Sequence, residues 1–318
     1  MSETITNIVC AGIDVGKARL DVAIEGDGGA LAFANTMKGL NELTEALRRF
    51  GVARVGLEAS GGYEREAVRR LRAEGFEVIV LQPIQVRAFA RYRLQRAKND
   101  KIDARLICAC TVMAKPPSSL HDPRLEALCE TLTFIEQLEE DIARNKTRQE
   151  GCRNERLKAL LVQDLKRLKA LRLAEIKRLL KGIAAHSDLN RRLELILSVP
   201  GIGPRTGLAL LIRLPELGKV SREAVAALVG VAPYDHDSGK HSGQRRIAGG
   251  RPRLRKSLYA AALPAVFHWN LALKALYDRL KAKGKPHAVA LVACVRKLVI
   301  YANTVVQRDQ PWVSNMAS

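Results

Sequence analysis

The sequence is poor in the residues that several protein classes need. Aromatic residues make up 4% of its 318 residues, which argues against extensive base stacking as a source of nucleic-acid specificity. Its six cysteines form no CxxC pair and have no histidine at zinc-ligand spacing, so buried or incidental thiols are expected rather than a zinc site. The sequence also has no run of about 18 apolar residues and no signal-peptide pattern. We therefore expect no membrane span and a cytoplasmic location.

Acidic residues are scarce in the last third of the chain. The whole sequence has 53 Lys and Arg against 33 Asp and Glu, a formal charge of +20. Residues 196–318 hold 19 basic and 6 acidic residues, whereas residues 1–120 hold 18 and 14. This excess indicates a polyanionic partner, and nucleic acid fits better than a membrane surface. The hydrophobic content of 47% is ample for folded cores.

Residues 1–120 are predicted to form an α/β domain. Alternating short apolar runs and helical patterns predict strands at 7–14, 19–25, 29–36, 52–58 and 76–83, with helices at 39–50 and 63–75. The resulting order, βββαβαβ, is that of a ribonuclease-H-like core, in which a meander leads into parallel strands.

Residues 121–190 are predicted to form long helices. Leucine and isoleucine recur at three- and four-residue steps on both sides of a polar break around Gly151. The pattern indicates a helical hairpin or coiled-coil arm used for spacing and oligomerisation. An alternative of equal weight is that both helices pack on the body of the protein.

Residues 191–318 are predicted to form a mainly α domain that opens with a helix-hairpin-helix-like segment. In LELILSVPGIGPRTGLALLIRL, a turn containing Gly201 and Gly203 separates two helices, and Arg205 follows it. Such a turn can present backbone N–H groups to a phosphate at a helix N-terminus. It can equally be a tight corner that needs glycine at positive φ.

Four carboxylates occupy positions that suit a metal site. Asp14 and Glu58 end two predicted central strands, and Asp100 and Asp103 share one face of a helix. Hard oxygen donors of this kind suit one or two Mg²⁺ ions, or Mn²⁺ in their place. Other acids, including Asp21 and Glu64, have the pattern of ordinary strand-face or helix-face residues.

The stretch YDHDSGKHSGQRRIAGGRPRLRK, residues 234–256, combines two serines with seven basic residues. Composition alone favours a flexible basic loop, and His236 and His241 are surface residues or proton shuttles. Arginine forks can bind the non-bridging oxygens of a phosphate. The candidate phosphate ligands are Lys240, Arg245, Arg246, Arg251, Arg253, Arg255 and Lys256.

These motifs together resemble a known family. GIDVGK, LEASGGYE and KNDKIDA resemble the four-acid signature of the DEDD insertion-sequence transposases, the IS one-ten family, to which the Piv DNA invertase is related. PGIGPRTGLAL and the stretch from LVGVAPYDHDSG to RKSLYAAAL resemble the second domain of that family. The resemblance spans essentially the whole chain, in the right order.

The resemblance implies a mechanism and partners. It implies a RuvC-like first domain, a helical arm used in dimer and tetramer assembly, and a last domain that supplies a nucleophilic serine. Ser238, in the Asp-Ser-Gly after Ala-Pro, matches that serine, and Ser242 is the second candidate. The serine would form a covalent phosphoserine intermediate with target or donor DNA, with Mg²⁺ on the four acids. A structured non-coding bridge RNA would guide the reaction.

Three other functions compete with this interpretation. A RuvC-like nuclease or junction resolvase would use water as the nucleophile, with a structural Ser238. An actin-like kinase would require a second glycine-rich phosphate loop after an Asp, which the sequence lacks. A nucleic-acid-binding protein without catalysis would leave the four carboxylates without a role.

Overall fold

A computed structural model describes residues 8–26, 29–94, 100–114, 122–234 and 246–313, with only the backbone described at 100–102. The chain divides into two compact units, residues 1–119 and 120–318. The helices predicted as an arm belong to the second unit. Their status as a separate domain, 121–190, stays a prediction.

The first unit is a five-stranded mixed sheet with helices. The order βββαβαβ is confirmed, and two further helices follow it. Its elements are β1 (Val9–Val15), β2 (Arg19–Ile24), β3 (Ala30–Ala34), α1 (Met37–Arg49), β4 (Val52–Glu58), α2 (Arg65–Ala73), β5 (Glu77–Leu81), α3 (Pro83–Tyr92) and α4 (Asp100–Met113).

The sheet has the strand order β3-β2-β1-β4-β5. Strands β1, β2 and β3 form the antiparallel meander, and β4 and β5 run parallel to β1. One face carries alternate apolar side chains such as Ile13 and Leu57, which pack with Leu43 of α1 and Leu71 of α2. Helix α4 packs along β1, β2 and β4 on the other face.

Helix α4 lies directly on the backbone of the two central strands because both carry glycine there. A Cβ on Gly12 would lie 2.1 Å from the Cys108 nitrogen and 2.5 Å from the Ala104 oxygen. A Cβ on Gly56, the register partner of Gly12, would lie 1.7 Å from Thr111 Oγ1. All three distances are far below van der Waals contact, so the two glycines permit this packing.

The second unit is almost entirely helical in its described part, with one short two-stranded ribbon. Its elements are α5 (Pro123–Gly151), α6 (Glu155–Ala184), α7 (Ser187–Leu197), α8 (Pro204–Arg213), α9 (Arg222–Val229), β6 (Pro233–Tyr234), β7 (Arg246–Ile247), α10 (Pro252–Pro264), a π-helical turn (Ala265–Trp269), α11 (Leu271–Ala282) and α12 (His287–Arg308).

The long pair α5 and α6 has two separate apolar clusters. Near its base, residues such as Leu132 and Ile176 belong to the large core shared with α7 to α12. Farther along, a small cluster joins two residues of α5, Leu138 and Ile142, to two of α6, Leu165 and Leu168. The break predicted around Gly151 is confirmed, since α5 ends there. One part of the pair thus packs on α7 to α12, as in the second alternative, whereas the smaller cluster joins α5 and α6 to each other.

Helix α12 is long and apolar enough to span a membrane by length and composition, and it is the one such helix in the described residues. It is a core helix in this fold. Its residues Leu291, Leu298 and Val299 are fully buried among the helices of the second unit. Its apolar composition is therefore explained by packing.

Candidate active site

Asp14 and Glu58 lie side by side at one edge of the sheet. Ile13 pairs with Leu57 across the parallel strands β1 and β4, and the two acids are the next residues on each strand. Residues paired in this way project to the same face. That face is the one covered by α4, because Asp14 is two residues beyond Gly12 and Glu58 two beyond Gly56.

Helix α4 runs antiparallel to β1 and brings its first turn toward the same edge. Cys108 Sγ lies 3.5 Å from the Cys10 oxygen, whereas Gly12, farther along β1, is close to both Cys108 and Ala104. Farther along β1 in this direction comes Asp14. Along α4 the same direction leads toward its first residues, because the helix is antiparallel to the strand. Asp100 and Asp103 are in that first turn.

The described side chains do not by themselves form a complete metal centre. The side chain of Asp100 is outside the described set. Among the described side chains, no group of three His, Cys, Asp or Glu could hold a metal ion. Asp14, Glu58 and Asp103 have the hard oxygen donors that Mg²⁺ prefers. Their residue types therefore fit a divalent cation, but the three described side chains do not form a group that could hold one by itself.

Glu64 organises the loop that follows Glu58. Its Oε2 accepts hydrogen bonds from the Ser60 nitrogen (3.1 Å), Ser60 Oγ (2.9 Å) and the Gly62 nitrogen (2.8 Å). Partial burial acts to raise the pKa of Glu64, but these bonds outweigh it and leave the pKa below its ordinary value. The expectation of a plain helix-face acid at Glu64 is wrong. The sequence signal that the prediction overlooked is an acid two residues after Gly-Gly.

Asp21 is also more than an ordinary strand-face acid. It is the register partner of Asp14 across β1 and β2, and only 7% of the residue is exposed. Arg19 binds its carboxylate through Nε, at 3.0 and 3.1 Å from the two oxygens, and through Nη2 at 2.9 Å. A buried acid thus lies beside the candidate site with its own arginine partner.

The turn before α8 is a tight corner at Gly201. This residue has φ +101°, and a Cβ there would lie 2.2 Å from the Ala265 Cβ of the π-helical turn. Asn270 also holds the turn, because its Nδ2 donates to the Pro200 oxygen at 3.1 Å. Gly203 is the N-cap of α8 and has no side chain to cap the helix. Phosphate binding by Gly203 stays a prediction.

Four of the basic residues predicted to bind phosphate have acidic partners inside the protein. Arg205 donates to both oxygens of Glu139. Arg251 binds Glu216 at 2.9 and 2.6 Å. Arg253 binds Glu136 at 2.9 Å, and Lys256 lies 3.3 Å from Glu140. Their roles as phosphate ligands stay predictions. A phosphate bound by one of these residues would compete with its internal acid for the same N–H donors.

Glu136 is the centre of this ion-pair network. Its side chain is 8% exposed and accepts two hydrogen bonds from Arg213 (3.1 and 2.7 Å) and one from Arg253 (2.9 Å). Arg205 Nη2 lies 3.7 Å from Glu136 Oε1. The periodicity of α5 marks Glu136 as a neighbour of the apolar stripe, but no local pattern identifies its three arginines.

Arg255 binds backbone carbonyls instead of an acid. Its Nη1 donates to the Gly249 oxygen at 2.7 Å and to the Gly230 oxygen at 3.2 Å. These two residues flank the ribbon β6 and β7, in which Tyr234 pairs with Arg246. Residues 235–245 lie outside the described residues, and with them Ser238, Ser242, Lys240, Arg245, His236 and His241.

Comparison with known proteins agrees with the arrangement of the chain. A family model of the DEDD, IS110 type, described as "Transposase", matches residues 11–163. A second model, "Transposase IS116/IS110/IS902 family", matches residues 193–278. The chain therefore belongs to the IS110 family of transposases, enzymes that recombine DNA. The resemblance to the IS one-ten family is confirmed, and so is the α/β class of the first domain with its βββαβαβ order.

Similar proteins include one of nearly equal length. The "Pilin gene-inverting protein" of Moraxella bovis is 24% identical over 95% of this chain and 96% of its own. The "Insertion element IS900 uncharacterized 42 kDa protein" of Mycobacterium paratuberculosis is 32% identical over 34% of this chain and 28% of its own. The solved structure "T. thermophilus RuvC in complex with Holliday junction substrate" covers 33% of this chain and 92% of its own, at 19% identity and a TM-score of 0.27.

Proposed function

We propose that this transposase cuts and rejoins target and donor DNA through a covalent phosphoserine intermediate formed by Ser238. The observation that carries the proposal is the register of β1 and β4, which puts Asp14 and Glu58 at the ends of adjacent strands, on the face that α4 covers. The first turn of α4 carries the other two acids of the proposed site, Asp100 and Asp103. This is the arrangement expected of a site that binds a phosphodiester through metal ions.

Asp14, Glu58, Asp100 and Asp103 would hold Mg²⁺, or Mn²⁺ in its place. A bound divalent cation would polarise the phosphate and favour charge on the entering and leaving oxygens. The contribution of the chain is rigidity. Strand ends and a helix that rests on glycine fix the acids, and Glu64 fixes the loop next to Glu58.

The proposed serine step is a transesterification. Ser238 Oγ forms a bond to phosphorus, the P–O bond of the DNA strand breaks, and the serine proton ends on the released DNA hydroxyl. Attack by a DNA hydroxyl on the phosphoserine then rejoins a strand and restores the serine. The ribbon β6 and β7 supports this proposal because it gives both ends of residues 235–245 an ordered anchor.

The proposed partners are two DNA segments, a structured bridge RNA and further copies of the chain. The charge of +20 supports a nucleic-acid partner. The name of the Moraxella relative refers to the inversion of a gene, which is a cut-and-rejoin reaction on DNA. Exposed leucines on α6, Leu157 and Leu160, support a contact between copies in a dimer or tetramer. Action on DNA also supports the cytoplasmic location.

The decisive experiment is a search for the protein–DNA adduct. The full chain is incubated with Mg²⁺, the RNA that copurifies with it and labelled DNA, and denaturing gels then separate covalent complexes. We expect an adduct with the wild type and with Ser242→Ala, and none with Ser238→Ala or Asp14→Asn. Ser242→Ala is the matched control because Ser242 also precedes a glycine in the same segment.

The alternative, a RuvC-like nuclease that uses water, gives a different result. It predicts cut DNA without an adduct and full activity in Ser238→Ala. An adduct that persists in Ser238→Ala would instead assign the nucleophile to another residue, with Ser242→Ala as the next variant to test.

A further inference from the structure

The pair formed by Arg19 and Asp21 lies at the same sheet edge as the acids. Strand β2 runs antiparallel to β1, so its first residues lie beside the last residues of β1, and Leu20 pairs with Val15. Asp21 pairs with Asp14. Arg19 is two residues from Asp21 and projects to the same face, the face that α4 covers.

Asp21 fixes the orientation of the Arg19 guanidinium. The Nε and Nη2 groups both donate to the carboxylate, at 2.9 to 3.1 Å. The Asp21 side chain is 9% exposed, whereas the Arg19 side chain is 59% exposed. One edge of the planar fork is thus bound to a nearly buried acid, and much of the rest of the side chain is open to solvent. A guanidinium has five N–H donors, more than this carboxylate uses.

Acids on three adjacent strands line this edge, since Asp21 on β2 pairs with Asp14 on β1, and Glu58 ends the neighbouring β4. A basic residue beside them would favour the approach of a DNA phosphate, because like charges at paired strand positions repel one another. Arginine suits this role because its forked guanidinium can bind a carboxylate on one side and a phosphate oxygen on the other.

We infer that Arg19, oriented by Asp21, is a phosphate-binding residue for the DNA strand at the acidic edge. The inference rests on the proposed function in taking this edge as the place where DNA lies. In this arrangement Asp21 is a positioning residue, which touches the arginine and not the DNA. The competing explanation is that Arg19 only neutralises Asp21.

A double-mutant cycle separates the two explanations. The variants are Arg19→Gln, Asp21→Asn and the combination of both, in the full chain with its copurifying RNA. Affinity for a labelled DNA duplex is measured in EDTA over a range of salt concentrations, so that no cleavage step contributes. If Arg19 binds phosphate, Arg19→Gln weakens binding about tenfold, the factor expected for one charge-assisted hydrogen bond. Its plot of log affinity against log salt becomes less steep by about 0.9.

The double variant distinguishes phosphate binding from simple neutralisation. A phosphate-binding Arg19 predicts that the double variant binds DNA as weakly as Arg19→Gln, while Asp21→Asn, which keeps the cation, stays within about threefold of wild type. Recovery of wild-type affinity and salt dependence in the double variant would overturn the inference. So would wild-type binding by Arg19→Gln. The double variant leaves no unpaired buried charge, so it also keeps the test valid if Arg19→Gln alone fails to fold.

Two controls complete the design. Arg69 and Glu66 form a comparable pair on α2, with bonds of 2.6 and 3.2 Å, on the opposite side of the sheet. Arg69→Gln should leave DNA affinity unchanged. Asp14→Asn is assayed for cleavage in Mg²⁺. If Asp14→Asn cleaves DNA normally, the proposed function fails, whereas the EDTA binding data still decide the role of Arg19.

Discussion

Gly230 and Gly250 meet backbone to backbone at the base of the ribbon formed by β6 and β7. A Cβ on Gly250 would lie 2.2 Å from the Gly230 nitrogen, and both residues have positive φ, +68° for Gly250 and +82° for Gly230. Gly230 comes before β6 and Gly250 comes after β7, so their contact closes the two ends of one chain segment. Arg255 adds two hydrogen bonds across the same junction.

Gly250→Ala should destabilise the second unit much more than Gly249→Ala. Gly249 also has positive φ, +65°, but a Cβ there would meet nothing within 4 Å. Its substitution therefore costs only the left-handed strain, about 1 kcal/mol, whereas Gly250→Ala adds a backbone collision. Both tryptophans, Trp269 and Trp312, are in this unit, so urea unfolding followed by tryptophan fluorescence reports its stability. Equal losses in the two variants would contradict the close contact.

Arg255→Ala should lower stability without changing the salt dependence of DNA binding. Its hydrogen bonds go to the carbonyls of Gly230 and Gly249, and their loss should cost about 1–3 kcal/mol. Arg246, exposed in β7, is the matched comparison. Removing a phosphate ligand there should make the salt dependence less steep by about 0.9. A shallower salt dependence in Arg255→Ala would show that it binds phosphate after all.

Glu136→Gln should be among the most destabilising polar substitutions in the second unit. It removes the acid from a nearly buried site while Arg213 and Arg253 stay charged. Breaking a buried ion pair in this way costs about 3–5 kcal/mol. Glu140→Gln is the control, since the pair of Glu140 with Lys256 is exposed and should contribute at most about 1 kcal/mol. Tryptophan fluorescence during urea unfolding measures the stability of both variants.

Gly56→Ala should be rescued by a second substitution, whereas Gly12→Ala should not. A Cβ on Gly56 collides with the side chain of Thr111, but a Cβ on Gly12 collides with the backbone of α4. Thr111→Gly removes the first obstacle, and no substitution removes the second. Hydrogen exchange in β1, β4 and α4 measures the loosening. Rescue of both variants by Thr111→Gly would contradict this packing.

Glu64→Gln should destabilise the first unit at neutral pH but not in acid. The folded pKa of Glu64 is depressed below its ordinary value, so the charged form stabilises the fold above the unfolded pKa, about 4.3. That contribution disappears as the pH falls through the folded pKa. The wild type and Glu64→Gln should therefore differ in urea midpoint at pH 7 and converge once the pH has fallen below the depressed folded pKa. Glu66→Gln, which alters an exposed pair with Arg69, is the control and should change the urea midpoint little at pH 7.

Local periodicity was enough to predict the first unit. Period-two strands and helical spacing predicted the order of its first seven elements. The ends of two of those strands gave the positions of Asp14 and Glu58 in the sheet. The same local reasoning could not predict what each charge contacts. Glu136 and Arg253 are 117 residues apart in the chain, and nothing near Arg253 in the sequence distinguishes it from a free cation.

The acids that looked ordinary in the sequence show the same limit. Asp21 has unremarkable sequence neighbours, and the Gly-Gly before Glu64 does not identify its hydrogen-bond partners. The significance of both acids comes from burial and partners that only the folded chain provides. The role of Gly12 and Gly56 was missed for a related reason. A glycine inside a strand weakens the strand signal, and its purpose becomes visible only when the helix that crosses it is known.

The two glycines under α4 affect which substitutions the first unit can tolerate. Main-chain atoms of α4 meet β1 at Gly12, and the Thr111 side chain meets β4 at Gly56, so the helix lies closer to the sheet there than any larger side chain would allow. Mutations on the far side of α4 or on the α1 and α2 face of the sheet can alter packing and stability while this close approach is retained. The geometry of the proposed chemistry therefore depends on small residues at Gly12 and Gly56 more than on the packing of the opposite face.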